Sequence, residues 1–448
     1  EILRCLVGSE MCIRDRLGVS PTFNLLTSVM DDMRPENKYL HLMDEQEAIT
    51  KAQALLNRPG DANVSPLAVY RHAAKADSVQ QRRPNVVLIM MESMSAKFMK
   101  HFGQSETLTP FLDSLYTRSI SFRNFYSAGI HTNHGLYATL YSFPAMMKRN
   151  LMKGSVIPRY SGLPTVLKEN GYYNLFFMTH EGQYDNMNAF FRTNGYDEVF
   201  SQEDYPADKV VNSFGVQDDF LYDYAIPVLN QRAATGQPFF ATLLSISNHP
   251  PYVIPPFFHP KTSEPEMQIV EYADWALRQF FEEARKQPWF DNTIFVLEGD
   301  HGKLVGDAEC ELPESYNHIP LMIYSSRIQP EEKTTFGGQV DIQPTILGLL
   351  NIDYLQNNFG VDLLKEERPC MFYTADNMVV GRNDTLLYLY NYETQQELTY
   401  DIGNGKLNAV PMDDSFLPLK EYSFSMLQSA EFLVKHGKTL NSIPFTQQ

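Results

Sequence analysis

Cysteine, tryptophan, positive charge and long apolar runs are all in short supply in this chain of 448 residues. Its longest apolar stretches, Asn85–Met91 and Pro238–Ile246, fall far short of the roughly 20 residues a bilayer-crossing helix needs. As read, the chain is therefore expected to be soluble. The dense charges at Arg4, Glu10, Arg14, Asp15 and Arg16 exclude a secretory signal there as well. Lys and Arg number 37 against 54 Asp and Glu, and the net charge of -17 excludes nucleic acid as a partner, because duplex affinity comes from basic side chains neutralising phosphates. Of the four cysteines, Cys5 and Cys12 sit in Glu1–Arg16, a stretch that fits nothing downstream and reads as translated sequencing-adapter sequence. On that reading the native N-terminus has been replaced. Cys310 and Cys370 then remain, either as a pair in an oxidising compartment or as two thiols.

What is present is enough apolar residue, 43% of the chain, for one large α/β domain or two ordinary ones. From Leu17 to about Gln81 the pattern is polar and helical, broken at Arg58-Pro59-Gly60-Asp61 and again near Ser65-Pro66, and reads as a connecting segment. After Arg83-Pro84 comes Asn85–Met91, a continuous apolar run of the kind buried on both faces of a sheet. Short apolar runs recur at Asn174–Met178, Pro238–Ile246, Asn292–Leu297 and Ile319–Tyr324. Helical patterns at Ser213–Arg232 and Glu266–Lys286 separate them, and alternating strands and helices predict a mostly parallel α/β sheet. Beyond Asn351 the strands shorten (Met371–Thr374, Thr385–Tyr390) and an amphipathic stretch runs from about Ser415 to Lys435, which predicts a smaller C-terminal α+β region.

In an open α/β sheet ligands gather outside the carboxyl ends of the strands. Glu92 directly follows the first run, and Glu298-Gly299-Asp300-His301-Gly302 ends another. A carboxylate from one strand end with Asp and His from a second would suit Mn²⁺, Mg²⁺ or Zn²⁺. Standing alone, Asp-His-Gly is equally an ordinary turn. In Ser127–Leu136 a turn-rich stretch leads into a helix expected over Gly135–Leu140. Thr132 would sit at its N-terminus, where the field favours an ionised nucleophile, or would simply cap it.

The order of six short motifs carries a resemblance to the lipoteichoic acid synthases and related phosphoglycerol transferases of the alkaline phosphatase superfamily. Asn85–Ser93 resembles their first strand and metal-binding Glu, Gly129–Gly135 their nucleophile turn, and Ser247–Tyr252 their substrate histidine. Gly299–Gly302 looks like the remaining metal ligands, Ile319–Tyr324 like the next strand, and Val340–Leu347 like the helix that closes a sulfatase-type domain. The resemblance runs from about Asn85 to Leu364 and implies an alkaline phosphatase-like fold with a catalytic domain over 83–365 and a C-terminal region over 366–448. Residues 1–16 are then the suspected artefact, and 17–82 a helical linker following lost membrane helices.

The resemblance also implies Glu92, Thr132, Asp300 and His301 as ligands of one divalent metal, Mn²⁺ first with Mg²⁺ and Zn²⁺ as alternatives, and Thr132 as nucleophile. It implies His249 and His180 as substrate contacts, and His318, just before the buried run Ile319–Tyr324, is a further candidate contact to the substrate phosphate or the metal. The expected chemistry is transfer or hydrolysis of a phospho-head group through a phospho-threonine. The expected partner is a phospholipid or glycan at the outer (periplasmic or exterior) surface of the cell membrane, and no nucleic acid. Where the family grips glycerol phosphate with an aromatic and an Arg, this chain has Tyr184-Asp-Asn-Met-Asn188, and Arg192 lies out of register, so the head group stays open between phosphoglycerol and phosphoethanolamine. A sulfatase is the first rival, but its Cys/Ser-x-Pro-x-Arg pattern is missing around Thr132. The second is a catalytically inactive binding domain, against which stands retention of all the metal-site residue types.

Overall fold

Every residue of Asn85–Met91 is buried because this strand, β2, lies between two cores. Val86, Leu88 and Met90 face one, and Val87, Ile89 and Met91 the other. The period-2 alternation of a strand sends neighbouring side chains to opposite faces, so a strand covered on both sides must be apolar throughout. The computed structural model describes residues 39–58, 69–73, 83–154 and 156–441. The expectations for Glu1–Arg16, with Cys5 and Cys12, and the turn signals over residues 59–61 and 65–66 lie outside them.

Along the chain the described strands are β1 (Tyr70–Ala73), β2, β3 (Ile120–Tyr126), β4 (Tyr173–Met178), β5 (Glu198–Phe200), β6 (Phe239–Leu244), β7 (Thr293–Gly299), β8 (Leu321–Tyr324), β9 (Glu331–Gly338) and β10 (Tyr354–Asn357). A C-terminal set follows: β11 (Met371–Ala375), β12 (Met378–Arg382), β13 (Leu386–Asn391), β14 (Gln396–Asp401) and β15 (Asn408–Ala409). The helices are α1 (Glu45–Leu56), α2 (Pro110–Tyr116), α3 (Thr132–Tyr141), α4 (Leu163–Glu169), α5 (Met187–Thr193), α6 (Asp218–Ala234), α7 (Pro265–Ala284), α8 (Ile342–Leu349) and α9 (Leu417–Lys435).

Eight strands form the central sheet in the order β5-β4-β6-β2-β7-β8-β3-β9. All pair in parallel except β8, which runs antiparallel to both β7 and β3. Helices α2, α6 and α7 cover one face, while α3, α4, α5 and α8 cover the other. Outside this layer β11 to β15 make a five-stranded antiparallel sheet against which α9 packs. The fold is thus the mostly parallel α/β arrangement expected, with a smaller α+β region at the C-terminal end.

Three local expectations need correction. The segment read as a polar helical connector contains α1, which docks on α9 with the Leu42 N–H donating to Gln428 Oε1 (2.7 Å), and then a strand. That strand, β1, pairs with β10 and buries Arg71, whose Nη1 donates to Leu56 O at 3.0 Å. Secondly, α6 starts at Asp218 rather than near Ser213. Gly215 has φ 91°, and a Cβ there would lie 1.8 Å from Thr179 O, so the chain turns tightly before the helix can begin. Thirdly, β3 and β9 were not expected. β3 carries Arg123 and Asn124 across a bulge, and β9 is a polar edge strand, so neither shows a continuous apolar run.

A buried ion pair ties the two regions together. Arg368 Nε donates to Asp341 Oδ2 (2.9 Å) just before α8, and its Nη1 donates to Tyr422 OH (2.6 Å) on α9. Asp341 also accepts the Gly338 N–H and the Val361 N–H. Arg368→Met would strand this carboxylate, and by the usual cost of a broken buried pair the protein should lose about 3–5 kcal/mol in urea unfolding. Adding Asp341→Asn should recover part of it. A loss for the single variant within experimental error of zero would show the pair to be dispensable.

Candidate metal and nucleophile site

β2 and β7 are adjacent and parallel, with Met91 level with Gly299, so the next residues of each strand, Glu92 and Asp300, emerge side by side at the carboxyl edge. The backbone then holds them. Ser93, at φ 49°, donates its N–H to Asp300 Oδ1 (2.8 Å) and its hydroxyl to Glu92 Oε1 (2.6 Å). The His301 N–H adds a second donor to Asp300 Oδ1 at 2.7 Å. The other oxygen, Asp300 Oδ2, is buried with no hydrogen-bond partner among the described residues. His301 Nδ1 faces Gly302 O (2.8 Å), which leaves Nε2 turned toward the acids, 3.7 Å from Asp300 Oδ2 and 3.8 Å from Glu92 Oε1.

Thr132 is the first residue of α3. The N-cap position belongs to His131, which makes no side-chain capping bond, so the Thr132 hydroxyl is not spent on capping. It donates instead toward Glu92 Oε2, at 3.5 Å. The helix reaches this position because Gly135 packs on the Asp300 turn. A Cβ on Gly135 would sit 2.2 Å from Asp300 O, and Gln339 Nε2 closes the joint by donating to the same carbonyl at 2.7 Å.

Two buried carboxylates side by side repel. Burial, reinforced by the charge of Glu92, pushes the Asp300 carboxyl up to about 7. For His301 burial works against the charged ring, but Asp300 and Glu92 outweigh it and raise the imidazole above its ordinary value. One ligand atom from each of Glu92, Asp300 and His301 lies within 4.8 Å of the others. An unpartnered buried carboxylate oxygen, a second acid and a ring nitrogen aimed at both fit a divalent cation well, since its charge would relieve the repulsion.

Of the three histidines expected to meet substrate, His249 and His180 lie on one side of this cluster. Phe214 packs on His249 with ring centroids 4.0 Å apart and the planes tilted by 43°, and lies 6.4 Å from Tyr184, whose ring is 4.6 Å from His180. Burial lowers both histidines, and each acts electrostatically on its surroundings at the site, His180 with His249 and His249 with His301 and Asp300. His318 is held elsewhere. Its Nε2 faces Arg123 O at 2.8 Å and its ring lies 5.1 Å from both Tyr126 and Phe102, so the structure does not bring it among the other groups.

Sequence reading passed over several neighbours. Phe214 stands on the Gly215 turn, and only the fold brings it between the rings of His249 and Tyr184. Asn248 donates to Glu92 O (3.2 Å) and Ser93 O (3.1 Å). Lys303 Nζ donates to Asn248 Oδ1 at 2.6 Å, and burial lowers this ammonium to about 8. Asp185 Oδ2 accepts from Asn133 Nδ2 at 3.4 Å, one residue from Thr132. Asp376, in the turn between β11 and β12, meets His131 at 2.9 Å, whose hydrogen bond holds the carboxylate below its ordinary range. Cys310 and Cys370 are both free thiols.

Residues 84–352 match the Sulfatase family. The chain belongs to that family. Its fold neighbours include a protein in the alkaline phosphatase superfamily from Vibrio parahaemolyticus, at a TM-score of 0.78 and 26% identity over 90% of this chain and 98% of that one. The lipoteichoic acid synthase LtaP from Listeria monocytogenes superposes with a TM-score of 0.69 at 19% identity, covering 87% of this chain and 98% of the other. In sequence the chain is 25% identical to lipoteichoic acid synthase 1 of Bacillus subtilis over 72% of its own length and 53% of that protein's, and 24% identical to lipoteichoic acid synthase 2 over 63% and 47%. It spans about half the length of these curated relatives. These likenesses put the chain among the enzymes of the alkaline phosphatase superfamily.

The raised Asp300 sets a pH dependence. In the unfolded chain this carboxyl ionises near 3.8, and in the folded, metal-free protein near about 7. Between those values the folded state holds more protons, so its stability should fall as pH rises from about 4 to about 7 and then level off. The raised His301 contributes with the same sign. Asp300→Asn keeps an oxygen for the Ser93 and His301 N–H groups while removing the charge. In EDTA it should raise the melting temperature at about pH 8 by a few degrees and leave it unchanged near pH 4. A melting point at pH 8 at or below wild type would contradict the repulsion described.

Proposed function

We propose that this protein transfers a phospho-head group, such as phosphoglycerol, from a lipid to an alcohol or to water through a phospho-threonine on Thr132. One observation carries the reading above others: the Thr132 hydroxyl is free of capping duty and turned toward Glu92, in the carboxylate and histidine cluster. A divalent cation, Mn²⁺ first and Mg²⁺ or Zn²⁺ as alternatives, held by Glu92, Thr132, Asp300 and His301, would supply the positive charge that eases ionisation of the hydroxyl and offsets the phosphate. The residues of the chain do the rest.

Thr132 Oγ1 attacks phosphorus, forming the Oγ1–P bond while the P–O bond to the lipid alcohol breaks. Its proton is accepted on the side of Glu92 Oε2, and the departing alcohol takes up a proton. The first N–H groups of α3 present the positive end of the helix to the phosphate. His249 and His180, held largely neutral by burial, serve as hydrogen-bonding groups toward the head group. A second alcohol or water then breaks the Oγ1–P bond and frees the threonine. The likeness to lipoteichoic acid synthases supports a lipid substrate met at the outer face of the cell membrane. Among the described residues no helix is long and apolar enough to cross a membrane.

Phosphoethanolamine is the second reading of the head group, and Asp185 is what favours it. A carboxylate next to Asn133, where the related transferases present a cation, suits an ammonium, which would compete there with Lys153, paired to Asp185 at 2.9 Å. Turnover of phosphatidylglycerol against phosphatidylethanolamine separates the two, and an aryl sulfate tests the sulfatase rival.

Thr132→Ala and Thr132→Asn should fold normally and lose activity by orders of magnitude, because neither side chain can form a phosphoester oxygen. Thr132→Ser should retain part of it. Mass spectrometry of enzyme quenched during turnover should find the phospho-group on the peptide containing Thr132. EDTA should abolish activity and added Mn²⁺ restore it. Wild-type rates in Thr132→Ala would remove the threonine from the mechanism.

A further inference from the structure

Lys303 directly follows the Asp300-His301-Gly302 turn, and its ammonium takes no part in the threonine transfer. An ammonium has three N–H bonds, and two are taken by neutral partners: Asn248 Oδ1 at 2.6 Å and Tyr252 OH at 3.1 Å. Its charge also lies 4.8 Å from the centroid of the Tyr252 ring. No carboxylate among the described residues forms an ion pair with this half-buried ammonium, and Glu266 and Glu92 act on its charge without touching it. Taking even part of an ammonium out of water favours an anionic partner, and this one lies beside a site read as binding an anion.

Its aim is set by the site itself. Asn248 is buried, and its Nδ2 is used by the carbonyls of Glu92 and Ser93 at 3.2 and 3.1 Å, which leaves Oδ1 facing Lys303. The end of β2, the Ser247–Tyr252 stretch and the turn after β7 are thereby joined in one hydrogen-bonded set, with the ammonium at its head. His249, next to Asn248, and His301 both feel the Lys303 charge. Other basic groups near the substrate side are occupied. Arg192 is held by Asn188 Oδ1 (2.8 Å) and the carbonyls of Asp197 and Val199, and Lys153 pairs with Asp185 at 2.9 Å.

We propose that Lys303 is a substrate-binding residue whose ammonium, aimed by Asn248 and Tyr252, binds a non-bridging phosphate oxygen on the His249 side of the site. The assignment rests on the phosphoester reading above. It gives the Tyr252 hydroxyl and the Asn248 amide a function, and it supplies from a different loop the cation that Tyr184–Asn188 lacks. The same contact would hold a lipid head-group phosphate or free inorganic phosphate.

Calorimetric titration of the Mn²⁺-loaded protein with inorganic phosphate, together with kcat and KM for bis(4-nitrophenyl) phosphate and for a phospholipid, tests it. Lys303→Gln keeps a donor toward Asn248 without charge, Lys303→Met removes both, and Lys303→Arg keeps the charge. Loss of a charge-assisted hydrogen bond should weaken phosphate binding and raise KM by on the order of tenfold in the Gln and Met variants, with a smaller change in kcat, and Arg should recover part of the loss. A merely structural lysine would change melting temperature but not phosphate affinity in the variants that fold, and Gln and Arg would then behave alike. Phosphate affinity and KM unchanged in Lys303→Gln would overturn the assignment while leaving the phosphoester reading standing. A wild-type protein that binds no phosphate and cleaves only an aryl sulfate would overturn that reading and this assignment with it. If the phospholipid KM rises while inorganic phosphate binding stays constant, the ammonium serves another part of the lipid and the phosphate contact is wrong.

Discussion

Two carboxylates forced together at the ends of neighbouring parallel strands are the constraint around which this molecule is arranged. The register of β2 with β7 puts Glu92 beside Asp300, and both are buried. Like charges so close and so dry are unfavourable unless something positive joins them. The surroundings read as responses to that problem: Ser93 in a left-handed turn donates to both acids, the His301 N–H adds another donor, and the His301 ring turns Nε2 toward them. The orphaned Asp300 Oδ2 is what remains for a cation to satisfy.

The second layer of the fold serves the same place from farther away. α3 carries Thr132 up to Glu92 only because Gly135 lets its first turn rest on the Asp300 carbonyl. The Ala128 carbonyl, on the approach to that helix, accepts the Thr374 N–H of β11 at 2.9 Å, and Asp376 from the next turn meets His131. The C-terminal sheet therefore braces the loop that presents the hydroxyl. Arg368, bonded to Asp341 and Tyr422, locks that brace to the main sheet.

Much of this was legible in the sequence, and the reason is local. Strands buried on both faces must be apolar throughout, so β2, β4, β6, β7 and β8 stand out as runs, and the acids of Glu92 and Asp300 mark where two of them end. β3 and β9 escaped notice because a bulge and an edge position let polar residues into them. β1 escaped because four residues pairing with a strand nearly three hundred positions away leave no periodicity of their own. His318 looked like a site residue because it precedes a buried strand, and the antiparallel β8 does start level with Glu298 at the carboxyl end of β7, yet the His318 ring is turned onto Arg123 O, Tyr126 and Phe102 instead of the cluster.

The sequence by itself determined the α/β layering, the candidate acids, the hydroxyl of Thr132 and the order of motifs that marks the family, since each depends on residues a few positions apart. Only the tertiary structure decided which of them meet. It assigned the cap of α3 to His131 and so freed the threonine, and it drew Phe214 between His249 and Tyr184. It also turned Lys303 toward Asn248 and set Asp185 beside Asn133. Those contacts span tens to hundreds of residues, and their geometry follows from strand register and helix docking, which no local pattern encodes.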